Sequence, residues 1–144
     1  MTNREKMIIL MKYRRIDRQI RRMEAEKAVW MERATSVSPV YSQVPGFGGA
    51  GGGKIISAME RIDEIEREIT ADIDHLADLR SVIQRGIRRM ENDQLREVLS
   101  YRYLSGMKWS QVADAMELDE RWVRRLHLRA VDILTLESPP EYAL

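Results

Sequence analysis

Hydrophobic side chains recur every three or four residues through most of the chain, which is the periodicity of amphipathic helices. Residues 3–34 contain no glycine or proline. Their apolar positions alternate spacings of four and three, the repeat of a coiled-coil seam. The predicted seam consists of Ile9, Tyr13, Ile16, Ile20, Met23, Lys27 and Trp30. We therefore predict a first long helix over residues 3–34, with Asn3 as its N-terminal cap.

A second stretch, residues 55–90, carries the same repeat, and Ser57 is a candidate cap near its start. Its predicted seam consists of Ile55, Met59, Ile62, Glu66, Ile69, Ile73, Leu76, Arg80, Ile83, Ile87 and Met90, with Ile65 and Leu79 beside the two charged members. Residues 1–34 hold ten basic and five acidic groups, a net charge of +5, whereas residues 55–94 hold six and ten, a net charge of −4. Opposite charge and similar length predict that the two helices form an antiparallel, coiled-coil-like hairpin.

The segment between these helices, residues 35–54, holds two prolines and a dense glycine run, so we predict a flexible loop. Residues 46–51 match the pattern GxGxxG, and residues 48–54 match GxxxxGK. A phosphate-binding loop needs a preceding strand and a sheet, and no strand pattern occurs here. Ile55 also occupies the place of the hydroxyl that would hold magnesium. The linker interpretation is therefore favoured over a nucleotide site.

Three shorter helices are predicted after the hairpin, at residues 94–105, 108–116 and 120–134. Asn92 or Asp93 is expected to cap the first of them, and Gly106 to end it. Between the last two, Ala113 gives the small side chain needed for close approach, Leu118 fills the turn, and Asp119 caps the final helix. This pattern is typical of a helix-turn-helix. The predicted organisation is a hairpin over residues 1–92, a helix-turn-helix domain over residues 93–136 and a flexible tail over residues 137–144.

The helix-turn-helix segment also resembles a known family. Residues 102–106 read Arg-Tyr-Leu-Ser-Gly, residues 112–113 give a Val-Ala pair, and Val-Arg begins at residue 123. In this order the stretch up to Leu134 looks like region 4 of sigma-70-type factors. The whole chain is similar in architecture to phage- and prophage-encoded, autolysin-regulator-like transcription regulators. Lys108 stands where that family often has Thr or Ser, and no promoter-melting region is visible.

The resemblance and the charge pattern together indicate a double-stranded DNA-binding surface. Arginines near the start of a recognition helix can form bidentate bonds with guanine, so Arg121 and Arg125 are predicted to reach base edges. Arg124 and Arg129 are predicted to bind phosphates, and Glu120 can accept a hydrogen bond from a cytosine amino group. The full set of candidate DNA-binding residues is Lys108, Ser110, Gln111, Glu120, Arg121, Trp122, Arg124, Arg125 and Arg129. A solvated face of internal ion pairs is the structural alternative.

Other function classes find little support. The chain has no cysteine, and its longest early apolar run, residues 7–11, is far too short for a membrane span. Asp72 and His75 give too few ligands for a metal, and His127 is expected to reach either phosphate or a neighbouring helix. We expect no enzymatic activity, no catalytic residue, no metal and no cofactor, and we expect a soluble protein in the cytoplasm of a bacterial host.

Three functions follow as hypotheses. The leading one is a phage-encoded transcription regulator that binds duplex DNA, forms a homodimer through the hairpin and contacts host RNA polymerase. The alternative is a DNA-packaging subunit similar to a small terminase, which would form a ring of many subunits. The third is a protein-interaction module whose helix-turn-helix does not bind DNA, because residues 95–136 carry a net charge of only +1, from seven basic and six acidic groups.

Overall fold

The computed structural model describes residues 1–41 and 48–138, and this part of the chain contains helices and no strand. The helices are α1 (Asn3–Tyr41), α2 (Gly48–Arg88), α3 (Asp93–Leu99), α4 (Trp109–Met116) and α5 (Glu120–Ile133), and α3 continues into a π-helical turn, Ser100–Leu104. The predicted all-α fold class is confirmed. The three C-terminal helices begin and end within two residues of their predicted bounds, apart from the change to π geometry at Ser100.

The two long helices extend further than predicted. α1 continues to Tyr41 and α2 already begins at Gly48, so most of the predicted loop 35–54 is helical. Each residue with a backbone N–H that is added to an existing helix gains a backbone hydrogen bond. Pro39 has no N–H and adds none, although its fixed φ lies in the helical range. Residues 42–47, with Pro45 and the first glycine of the GxGxxG pattern, lie outside the described residues, as does the predicted tail beyond Ser138.

The chain folds into two compact units. The terminal unit comprises Met1–Asp17 and Asp74–Leu144, and the middle unit comprises Arg18–Ile73. Each unit therefore takes one segment from α1 and one from α2, a grouping different from the sequence division at residue 92.

In the middle unit, the segments of α1 and α2 lie side by side and run antiparallel. Trp30 in the last third of α1 lines a cleft with Ala58 in the first third of α2. Further from that cleft, Glu26 pairs with Arg61 at 2.8 Å, and Lys27 pairs with Glu66 at 3.0 Å. The side chains buried in this unit are Ile20, Met23, Ala58, Ile65 and Ile69. Lys27–Glu66 joins a base of the basic helix to an acid of the acidic helix, whereas Glu26–Arg61 has the opposite sense, so only one of these two pairs follows the net charges of the segments.

Three of the eleven predicted seam positions of α2 are wrong by one residue, and a fourth, Ile73, is exposed. Met59 and Ile73 are 58% and 46% exposed, whereas Ile65 and Leu79 are fully buried. The buried positions keep the spacing of four and three but use residues 58, 65 and 79 where the prediction used 59, 66 and 80. The shift has a simple cause, since it buries aliphatic side chains and leaves the charges of Glu66 and Arg80 in water.

The core of the terminal unit combines both long helices with all three short ones. α1 contributes Ile9, Leu10 and Tyr13; α2 contributes Leu79, Val82, Ile83 and Ile87; and the C-terminal region contributes Leu95, Val98, Leu99, Tyr103, Val112, Ala113, Val123, Leu126, Ala130, Val131, Leu134 and Leu136. The short helices therefore share one hydrophobic core with the first part of α1 and the last part of α2. Burial of that core is the main force that stabilises the short helices.

The chain after α5 crosses α2 at a glycine. Leu134 and Leu136 are buried, and the Thr135 carbonyl oxygen lies 2.6 Å from where a Cβ on Gly86 would stand. A side chain at this position would force the two segments apart. Gly86 is thus required for close backbone approach, although it lies inside a helix, where glycine is otherwise unfavourable.

Only some of the helix caps predicted from the sequence are present in the structure. Asn92 caps α3 as predicted, because its Oδ1 accepts from the Leu95 backbone N–H at 3.0 Å. The cap of α1 is Thr2 and not Asn3: Thr2 Oγ1 accepts from the Glu5 N–H, and the Glu5 carboxylate accepts from the Thr2 N–H, which is a capping box. Asn3 instead donates to the Asp132 carboxylate at 3.1 Å. The predicted cap Ser57 lies inside α2.

Candidate nucleic-acid interface

The candidate surface is formed by α4, a tight turn and α5. Glu117 ends α4 in the left-handed region with φ of 55°, and the Leu118 N–H donates to the Ala113 carbonyl at 3.0 Å. Ala113 is buried and Leu118 is half-buried, so the small residue and the turn residue occupy the places that the sequence suggested. Asp119 precedes α5 at the cap position, but its carboxylate makes no capping hydrogen bond, so that part of the prediction is wrong.

One side of α5 is buried in the core and the opposite side is exposed. Val123, Leu126 and Ala130 are at most 3% exposed and face the core. At 3.6 residues per turn, the positions directly opposite this core face are 121, 125, 128 and 132. They are Arg121, Arg125, Leu128 and Asp132, and all four are exposed. We call this line the outer face of α5.

Arg121 and Arg125 occupy the part of the outer face nearest the start of α5. Within the described residues, neither guanidinium forms a hydrogen bond, ion pair or ring contact. Their five N–H donors each are therefore free to bind an acceptor outside the protein. The structural alternative of a face closed by internal ion pairs does not hold for these two residues.

Arg124 and Arg129 flank the outer face on opposite sides and are held by neighbours. Arg124 pairs with Glu120 at 3.0 Å and lies 5.4 Å from the centre of the Trp109 ring. Arg129 lies 5.6 Å from the centre of the Trp122 ring. Both arginines are exposed, and such surface contacts contribute at most about 1 kcal/mol, so either can bind a phosphate without a large cost.

The ion pair with Arg124 also limits what the Glu120 carboxylate can bind. This carboxylate is half-buried and engaged, so the suggested contact with a cytosine amino group would require the ion pair to open. Trp122 is partly exposed, and its ring packs beneath Arg129, where it orients a cation.

The start of α4 presents three exposed polar residues. The Gln111 side-chain oxygen accepts from the Lys108 backbone N–H at 2.9 Å and so satisfies one donor at the helix end. Lys108 and Ser110 keep their side chains in solvent. Their position at a helix N-terminus, where backbone N–H groups point outward, suits a phosphate oxygen.

A buried aromatic and cationic cluster lies behind this surface. The Tyr103 hydroxyl and His127 Nε2 share a 2.6 Å hydrogen bond, the Trp109 ring meets His127 edge to face, and Arg102 lies 4.3 Å from the Trp109 ring centre. Desolvation lowers the pKa of His127 to about 4 and raises the pKa of Tyr103 to about 12. The interpretation of His127 as a phosphate ligand is therefore wrong, and its contact with a neighbouring helix is correct.

This cluster is fixed by an arginine from the far end of the chain. Arg14 of α1 is buried, and its guanidinium donates to the carbonyl oxygens of Arg102 at 2.8 Å and Met107 at 3.2 Å. Neither Arg14 nor Arg102 was among the predicted site residues. The contact joins positions almost ninety residues apart, so no local pattern signals it.

Other kinds of site find no support in the described residues. Within residues 1–41 and 48–138, no three His, Cys, Asp or Glu side chains lie together in a group that could bind a metal ion. None of the helices described here combines the length and apolar character required to cross a bilayer. The GxGxxG and GxxxxGK patterns run into the first turns of α2, with no strand before them among the described residues.

The described residues thus define an all-α protein with an arginine-bearing outer face on its last helix. Comparison with protein-family models, with curated proteins and with solved structures gave no match to this chain.

Proposed function

We propose that this protein is a sequence-specific regulator of transcription that binds double-stranded DNA through α5. The observation that carries the proposal is the outer face of α5, where Arg121 and Arg125 are exposed and lack partners within the described residues. An α-helix fits the major groove of B-DNA, and arginine bound to the O6 and N7 of guanine is the commonest specific contact.

The flanking residues support the same docking. Arg124 and Arg129 lie on either side of the outer face, where the two phosphate backbones border the groove, and Lys108 and Ser110 add a phosphate contact at the start of α4. In this arrangement the outer pair reads bases and the flanking residues hold the helix in register. The small net charge of the region then matters little, because the basic groups are gathered on one side of α5.

Two double variants test this division of roles. A duplex selected by the full chain from a randomised library would serve as the probe, with fluorescence anisotropy as the readout. We expect Arg121→Ala with Arg125→Ala to reduce the preference for the selected duplex over a scrambled duplex by at least about tenfold. Arg124→Ala with Arg129→Ala should weaken both duplexes equally and reduce the slope of log affinity against log salt by about two.

The control is a third double variant, Arg15→Ala with Arg88→Ala. Both side chains are exposed and lie outside α5, and the variant removes the same charge. It should leave the sequence preference unchanged. An equal loss in all three variants would show that the chain binds DNA only through its overall charge, and absence of binding at low salt would refute the proposal.

We further propose that the protein forms a homodimer through the middle unit. Several large apolar side chains of that unit are exposed, and a second copy would cover them: Val29, Met31, Ile56, Met59 and Ile73. Light scattering should give a dimer, and Met59→Lys should shift it to a monomer, with Glu60→Lys as the control. A ring of many subunits would favour DNA packaging instead.

A further inference from the structure

The outer face of α5 carries one residue that is neither charged nor polar. Leu128 is 67% exposed, the largest exposure among the large hydrophobic side chains of the described residues. It follows Arg121 by seven positions, Arg124 by four and Arg125 by three, so all four side chains share one helix surface. The leucine therefore has guanidiniums assigned to DNA on its side toward the start of α5, and the Asp132 carboxylate lies one turn beyond it.

We propose that Leu128 reads a thymine methyl group in the target duplex. This inference rests on the proposed function and adds the chemistry of one more base pair. In the major groove, thymine is the base that presents an apolar group, its C5-methyl, and an aliphatic side chain is its natural contact. Spacings of three, four and seven residues are those by which recognition helices place several side chains on neighbouring bases.

The helix geometry also places the thymine. Leu128 lies three residues beyond Arg125, a rise of roughly 4.5 Å along the helix axis. Successive base pairs of B-DNA are about 3.4 Å apart, so this rise spans one or two base steps. The thymine should therefore lie one or two base pairs from the guanine that Arg125 contacts.

The alternative is that Leu128 contacts an apolar surface on another copy of the protein. The surroundings disfavour it, because a second copy seated on Leu128 would bring the Arg121, Arg124 and Arg125 guanidiniums against their own equivalents, with Asp132 as the one carboxylate of the outer face to offset them. Like charges at close range oppose such a contact. Duplex DNA complements both kinds of side chain, because its phosphates attract the guanidiniums and a thymine methyl group in its major groove can contact the leucine.

The test combines a protein variant with a base analogue. The probe is a duplex selected by the full chain from a randomised library, and each thymine in turn is replaced by deoxyuridine, which lacks the methyl group. We expect one replacement to weaken binding by the wild-type protein about three- to fivefold. Leu128→Ala should lose at least as much affinity for the thymine duplex and should no longer distinguish thymine from deoxyuridine at that position.

A matched control comes from the same helix. Ile133 is 58% exposed but lies well to one side of the outer face, so Ile133→Ala should bind like wild type and keep the methyl effect. The inference is wrong if Leu128→Ala retains wild-type discrimination at every thymine, or if its main effect is a change in the oligomeric state. In both cases the proposed function stands as long as the Arg121 and Arg125 variants lose sequence preference.

Discussion

The Lys6 ammonium at the start of α1 donates hydrogen bonds to the backbone carbonyl oxygens of Val131 at 3.0 Å and Asp132 at 3.1 Å. These carbonyls belong to the last turn of α5, where no further backbone N–H of the helix reaches them. The lysine is only 8% exposed, and its charge meets the negative end of the helix dipole. One end of the chain therefore completes the helix that carries the candidate DNA-binding residues.

This contact predicts that Lys6→Met destabilises the protein. Methionine keeps an apolar side chain of similar length but leaves the two carbonyls without their donor, at a cost of about 1–3 kcal/mol. Urea denaturation followed by circular dichroism would measure the loss. Lys12→Met is the control, because Lys12 lies on the same helix and forms no hydrogen bond or ion pair within the described residues. Equal losses in the two variants would contradict the capping role.

Gly86→Ala is predicted to destabilise the protein, which is opposite to the effect that helix propensity alone would give. In an exposed helix, alanine is more stable than glycine by up to about 1 kcal/mol. At Gly86, however, the new Cβ would lie 2.6 Å from the Thr135 oxygen and 2.9 Å from Leu136 Cδ2. We expect Gly86→Ala to lower the unfolding free energy by about 1–3 kcal/mol, measured by urea denaturation.

Gly53 provides the matched control for this variant. It also lies in α2, and a Cβ there would meet nothing within 4 Å. Gly53→Ala should therefore leave stability unchanged or raise it slightly. A stable Gly86→Ala protein would mean that the segment after α5 can move away from α2 at little cost.

The features that depend on local periodicity were predicted well from the sequence. Helix bounds in the C-terminal region, the seam of α1 and the cap at Asn92 all follow from patterns spanning a few residues. Three positions of the α2 seam were misplaced by one residue, because a heptad leaves neighbouring positions such as Ile65 and Glu66 ambiguous until the facing helix is known. The roles of Lys6, Arg14 and Gly86 were not predicted, because their partners lie far away in the chain.

The candidate site was likewise predictable from the sequence only in part. Its charged residues were readable from the sequence, because exposed arginines on a short amphipathic helix can be assigned from periodicity alone. Which arginines are free and which are engaged was not readable. That depends on Trp109 and Trp122, whose rings lie beside Arg124 and Arg129.

The turn before α5 predicts a stabilising substitution. Glu117 has φ of 55°, a conformation that costs residues other than glycine about 1 kcal/mol. Glu117→Gly should therefore raise the unfolding free energy by about 0.5–1 kcal/mol, measured by urea denaturation. The same exchange at Glu97, an exposed residue in α3, should lower it by about 1 kcal/mol, because the backbone there is helical. A loss at both positions would show that Glu117 makes a contribution beyond its backbone conformation.

His127 predicts a specific loss of stability in acid. Burial, with a smaller effect of the Arg102 charge, lowers the pKa of His127 to about 4 from 6.5 in the unfolded chain. Below pH 6.5 the unfolded state binds this proton and the folded state does not, so the unfolding free energy falls until about pH 4, by roughly 3 kcal/mol in total. Urea denaturation between about pH 7 and 4 should show this decline in wild type and in His75→Gln. His127→Gln should remove that part of the slope, and an unchanged slope would contradict the buried, neutral histidine.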